Sequence, residues 1–186
     1  MVNVIVTAGA HEREFFNRLA DMVNVFIPLV RVWKNEIIAT SDSAGMLIAD
    51  HESFKSISPQ PRIIVFGGKN NHDISHLMDE RTVAVANSCM PEQLDYISAI
   101  KLPAITCGLY AKDTITLSSI EHDRAVINLQ RSLTCFNGES AEPQEFPVCF
   151  DAPVDGYLLM AYGSILILTG NAKQLACNAK RLADSV

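Results

Sequence analysis

Two short stretches of this 186-residue chain hold side chains that could do chemistry. The first is Gly67-Gly68-Lys69-Asn70-Asn71-His72, directly after the apolar run Arg62–Phe66. A loop past the C-terminal end of a buried parallel strand is where open α/β sheets bind ligands. Lys69 would neutralise a small anion, and Asn70, Asn71 and His72 would orient it. The plainer reading is a polar turn that uses two glycines for positive φ.

The second stretch overlaps the first. His72-Asp73-Ile74-Ser75-His76 resembles the H-E-x-x-H pattern of zinc hydrolases, in which two His at i and i+4 hold one metal and a Glu acts as base. Asp73 is one methylene too short to copy that Glu. A third ligand would have to come from Asp79, Glu80, His51 or His122. The expectation is an exposed pair of His with no specific metal. Cys89 stands before Pro91, at a strand-to-helix junction that could lower a thiol pKa. No particular His is tied to it, and it reads as a core or loop cysteine. Glu121-His122-Asp123-Arg124 reads as a solvated hairpin tip. No residue is assigned a catalytic role.

The elements that must position these residues come from the apolar pattern. Val2–Thr7, Arg62–Phe66, Val83–Ala86 and Ala104–Cys107 are short buried runs, the signature of strands covered on both faces. His11–Asn24 carries Phe15, Phe16, Leu19, Met22 and Val23 on one helical face. Val30, Val32, Ile37 and Ile38 suggest two short strands turning at Lys34-Asn35-Glu36. Ser43–Phe54 and Asp73–Glu80 are expected as helices. Pro91 opens a further helix bearing Leu94, Ile97 and Ile100. From Asp113 the period changes to two. Thr114–Ile120 and Ala125–Gln130 alternate, Asn137-Gly138 signals a hairpin, and Pro143 and Pro147 confine the next strand to a sheet edge or a bulge. Gly156–Thr169 is apolar all round and so reads as a buried helix. Ala172–Ala183 is expected as a second, amphipathic one. The expected fold is a three-layer α/β domain spanning 1–186, a parallel sheet with helices on both faces, plus a small antiparallel β-hairpin appendage from about Asp113 to Phe150.

Composition narrows the function classes. Hydrophobic residues make up 48% and charged residues 19%, a globular balance. The net charge is −6 and the pI near 5.3. The 15 Lys and Arg are scattered singly, which argues against nucleic acid. The five cysteines are odd in number, widely spaced and in no C-x-x-C pair, as suits reduced thiols in a cytoplasmic protein. The first residues carry no basic region and read as a strand, not a signal peptide. Tyr157–Leu168, the longest apolar stretch, falls well short of the about 20 residues a membrane span needs.

Val85-Ala86-Asn87-Ser88-Cys89-Met90-Pro91, then Ile105-Thr106-Cys107-Gly108-Leu109, then short hairpins, then a buried helix ending Leu168-Thr169-Gly170, occur in that order. The series resembles the second half of the central domain of the Mur ligases, the ATP-dependent amide-forming enzymes of peptidoglycan precursor synthesis. Asn87 and Pro91 match the family's V-x-N-x-D-D-P, while both its acidic positions are lost. The resemblance covers about residues 62–183, with 1–61 divergent, and implies the α/β fold and a ligand role for Asn87.

Departures from the family bear on function. No G-x-x-x-x-G-K-[ST] occurs. Without that loop of backbone N–H groups and its hydroxyl, ATP loses its main phosphate site. Asp155 and Leu158 fall where the resemblance places base-contacting Asn residues. A counterpart of the family's C-terminal amino-acid-binding domain is expected to be missing. The favoured expectation is therefore a catalytically inactive binding or interaction module, with no cofactor and a link to cell-wall precursor metabolism. It would take a small anionic ligand at Gly67, Gly68, Lys69, Asn70, His72 and Asn87. The alternative is an enzyme: one half of a split ATP-dependent amide ligase, or a metal-assisted hydrolase using His72 and His76. Gly156–Thr169 and the Pro-bearing strand, without a ligase's neighbouring domains, are expected to leave apolar surface uncovered. A homodimer or a protein partner would cover it.

Overall fold

The computed structural model describes residues 1–7, 13–58, 60–68, 73–150 and 153–175. The chain divides into two compact units, Met1–Ala104 and Ile105–Val186.

The first unit contains β1 (Val2–Thr7), α1 (Arg13–Asn24), β2 (Leu29–Trp33), β3 (Glu36–Ala39), β4 (Met46–Asp50), β5 (Arg62–Phe66), β6 (Thr82–Asn87) and α2 (Pro91–Ala99). Its strands lie in the order β6-β5-β1-β4-β2-β3. The first five are parallel, and β3 folds back antiparallel on β2. Side chains of a strand alternate between faces, and β2 shows which helix covers which. Trp33 packs against Phe16 of α1, with ring centroids 4.8 Å apart and the planes tilted by 54°. Its neighbour Val32 joins Ile5, Ile64, Phe66, Ala84 and the α2 residue Ile97 in one buried cluster. Helices α1 and α2 therefore cover opposite faces, giving the expected three layers.

The second unit is mainly antiparallel. It holds β7 (Ala104–Cys107), which straddles the boundary between the units, β8 (Ile115–Ile120), β9 (Arg124–Leu129), β10 (Leu133–Thr134), β11 (Ser140–Ala141), β12 (Gln144–Cys149) and α3 (Gly156–Leu168). β7 and β8 are parallel, while β8, β9 and β12 form an antiparallel set in the order β8-β9-β12. β10 and β11 make a separate small hairpin, turned at Gly138 with φ +87°. The antiparallel appendage from Asp113 onward is thus present.

Three expectations need correction. Ser43–Phe54 is not a helix: its Met46–Asp50 run is strand β4, seated between β1 and β2. A five-residue apolar run has no readable period, and its place inside a parallel sheet decides its form. Asp73–Glu80 forms only a 3-10 turn at Ser75–Leu77. Asp73 and Asp79 spend their carboxylates on nearby backbone N–H groups, those of Ser75 and Arg81, each at 2.9 Å. Such bonds compete with helix formation.

The third correction concerns α3, expected to leave apolar surface uncovered. Every residue from Tyr157 to Leu168 is buried within the chain. Asp155 caps its start by accepting the Leu158 N–H at 3.0 Å. A Cβ added at Gly163 would meet Ile127 of β9 at 3.1 Å, so the missing side chain is what allows this close approach. The helix ends at Gly170, φ +75°, where the N–H groups of Gly170 and Asn171 donate to the carbonyls of Ile167 and Leu166. Of the expected final helix, Ala172–Leu175 are helical and the remainder lies outside the described residues. Among the described residues, no helix is long and apolar enough to cross a membrane.

Candidate functional site

The C-terminal ends of the parallel strands in the first unit bring Thr7, Asp50, Gly67 and Asn87 to one edge of that sheet. The Gly67 N–H donates to the Thr7 carbonyl at 3.2 Å, which carries the β1–β5 ladder one step beyond the strand. Gly68 and Asn87 are joined by a residue that the motif reading did not select. Gln93, 1% exposed in the first turn of α2, donates from Nε2 to the Gly68 carbonyl at 2.7 Å. Its Oε1 accepts the Asn87 N–H at 3.0 Å. One turn further on, the Tyr96 hydroxyl accepts the Ile74 N–H at 3.1 Å. Gln93 and Tyr96 lie three apart on one helical face, so α2 grips the chain on both sides of residues 69–73. The Tyr96 ring also meets Phe66 edge-on, with centroids 6.3 Å apart.

Of the expected ligand residues, Gly67, Gly68 and Asn87 are thus brought together, while Lys69, Asn70 and His72 lie outside the described residues. Asn87 turns its Oδ1 onto the Cys89 N–H at 2.9 Å, fixing the strand-to-helix corner. Cys89 itself is exposed.

Of the hydrolase pair, His76 is among the described residues and His72 is not. His76 is exposed and His51 is buried in the turn after β4. His122 is exposed at the β8–β9 tip, beside the Arg124–Glu121 ion pair of 2.6 Å. Asp79 is engaged by Arg62, Thr82 and the Arg81 N–H. Hydrogen bonds from Ser75 hold the Asp73 carboxyl below its ordinary range, which makes it a weaker base. Among the described residues, no group of three or more His, Cys, Asp or Glu could hold a metal ion. At the head of α3, the Leu158 side chain is packed in the interior at 2% exposure, and Asp155 serves as a helix cap.

Two other buried polar side chains shape the same unit. Asp50 accepts the Lys34 N–H at 2.7 Å, the Glu52 N–H at 2.7 Å and the Ser53 hydroxyl at 2.6 Å. It thereby holds Lys34 in a left-handed conformation, φ 52°, at the β2–β3 turn. Arg62, at the opposite end of β5, donates to the carbonyls of Leu77 and Ser58 and pairs with Asp79 at 3.4 Å. Burial lowers its pKa, and Asp79 pulls it back up. Sequence offered one usable signal for these residues. A Gln at the third helical position, two after Pro91, is placed to reach back over the helix start.

Strand order, helix placement and the second unit's hairpins can be set beside solved structures. Murein peptide ligase from Psychrobacter arcticus superposes with a TM-score of 0.59 at 10% identity, over 96% of this chain and 46% of that one. MurF from Acinetobacter baumannii gives 0.57 at 8% identity, over 95% and 44%. The chain has a Mur ligase-like fold. A UDP-N-acetylmuramoyl-L-alanyl-D-glutamate–2,6-diaminopimelate ligase is similar too, with a TM-score of 0.51 at 11% identity over 92% of this chain. The chain spans less than half the length of these ligases. With 95% of the chain matched, the Mur ligase-like fold takes in most of residues 1–61 as well. No protein-family model matches the sequence, and no curated protein does.

Proposed function

We propose that this chain is a Mur ligase-like binding module that does not carry out ATP-dependent ligation by itself. It takes a small anionic ligand through the Gly67–His72 loop and Asn87, in the cytoplasm, in a role linked to cell-wall precursors. The observation that carries this reading is the Gln93 clamp. A buried amide joins the entry of a Gly-Gly-Lys-Asn loop to the end of the neighbouring strand, at the sheet edge where α/β folds bind ligands. The missing G-x-x-x-x-G-K-[ST] supports the loss of ATP chemistry. So does Leu158, whose packed side chain offers no hydrogen bond to a base.

The test is calorimetry and a phosphate-release assay on the purified chain. ATP with magnesium at physiological concentration should give neither binding heat nor hydrolysis. A micromolar Kd for ATP would overturn the reading and restore the split-ligase alternative.

A further inference from the structure

We propose that Asn137-Gly138 is a gated deamidation site: the folded hairpin suspends the reaction, and opening of the hairpin releases it in one direction. The inference concerns the second unit alone and uses no part of the ligand reading.

Of the nine glycines, only Gly138 follows an Asn. With no side chain of its own, Gly138 leaves its nitrogen free to approach the preceding amide. That nitrogen gives up its proton and attacks Asn137 Cγ. The Cγ–Nδ2 bond breaks, and Nδ2 leaves with the proton as ammonia. The five-membered imide then adds water and opens to an aspartate or an isoaspartate. Water is the one co-reactant, and Asn137 is exposed to it.

The native turn withholds both reacting groups. The Gly138 N–H donates to the Cys135 carbonyl at 2.9 Å, so the proton that must leave is held inside the turn. Asn137 Oδ1 accepts the Glu139 N–H at 3.0 Å, and its Nδ2 donates to Glu139 Oε2 at 2.9 Å. With both ends of the amide engaged, Cγ is kept from swinging toward the Gly138 nitrogen. The hairpin is fastened in turn to the end of α3. There the Phe136 N–H donates to the Leu168 carbonyl at 2.8 Å, and Cys135 Sγ donates to the Ile167 carbonyl at 3.1 Å. A Cβ added at Gly170 would meet Asn137 Nδ2 at 2.8 Å, so the amide is packed against the turn that ends the helix.

The product does not suit the place of the amide. A carboxylate at position 137 faces Glu139 Oε2 where Nδ2 had donated, like charge against like. It also stands at the carbonyl end of α3, the negative end of the helix dipole. The adjoining cavity sets Glu139 and Glu142 against Lys173, so its charge already leans negative. Each conversion therefore loosens the hairpin that had delayed it, and the loss of ammonia bars the way back.

The test is to incubate the purified chain in mildly alkaline buffer and follow Asn137 by peptide mapping with isoaspartate detection. Conversion should be about tenfold slower, or slower still, in the folded chain than in the same chain in urea, because only locally opened molecules react. Glu139→Ala, an exposed change that frees Nδ2, should speed conversion in the folded chain, with circular dichroism verifying the fold. Asn137→Asp supplies the product's charge directly and should speed hydrogen exchange at the Phe136 and Gly138 amides. Adding Glu139→Gln should recover most of that protection. Equal conversion rates in the folded chain and in urea, or no conversion in either, overturn the proposal. Exchange left unchanged by Asn137→Asp overturns its one-way character.

Discussion

The two ends of strand β5 are held by different chemistry. At its N-terminal end a charged side chain, Arg62, is sunk into the fold and spends its donors on the carbonyls of Leu77 and Ser58 and on Asp79. At its C-terminal end a neutral amide and a phenol, Gln93 and Tyr96, hold the chain through backbone groups at Gly68, Asn87 and Ile74. Burying a charge costs far more than burying an amide, and losing its partners costs more again. The charged end is therefore a fixed joint. The neutral end is held by three hydrogen bonds to backbone groups, with no charge buried there.

Three substitutions grade that contrast. Arg62→Met should cost the most, about 3 kcal/mol in urea unfolding, because it strips two carbonyls and a half-buried carboxylate of their partner. A loss under 1 kcal/mol would show that the joint is replaceable packing. Gln93→Leu should cost about 2 kcal/mol, leaving the Gly68 carbonyl and Asn87 N–H without their shared partner. It should also make the 67–74 segment more sensitive to protease while the unfolding transition stays cooperative. Equal costs for the two changes would erase the distinction between the ends. Tyr96→Phe removes one hydrogen bond from a half-buried ring, so about 1 kcal/mol is expected. Its clearest mark should be faster hydrogen exchange at the Ile74 amide. Unchanged exchange there would mean that the phenol holds nothing.

Much of the frame was legible in sequence because the deciding physics is local. Strands buried on both faces read as unbroken apolar runs, and Arg62–Phe66 and Val83–Ala86 announced themselves that way. Asn137-Gly138 carried its turn chemistry in two residues, and Pro147 declared an edge by lacking a donor. β4 was missed because Met46–Ala49 is too short to show a period. What settles its form is burial between β1 and β2, more than a neighbouring residue can reveal. The flanks of the candidate site, Gly67, Gly68 and Asn87, stood out by residue type. The clamp did not, because Gln93 recognises a carbonyl 25 positions upstream. A backbone atom carries no residue-specific mark. α3 was read correctly as buried but was assigned a missing cover. The match between Gly163 and Ile127 exists only after folding.

Helix α3 has a consequence for the order of events at the ribosome. Its residues from Tyr157 to Leu168 are buried, so as a free segment it has no wet side to show. Strands β8, β9 and β10, which α3 packs against, all precede it in the chain. When synthesis reaches α3, the surface that shelters it has already been made. The greasiest segment thus emerges after the strands it packs against, and the time it spends unsheltered is short.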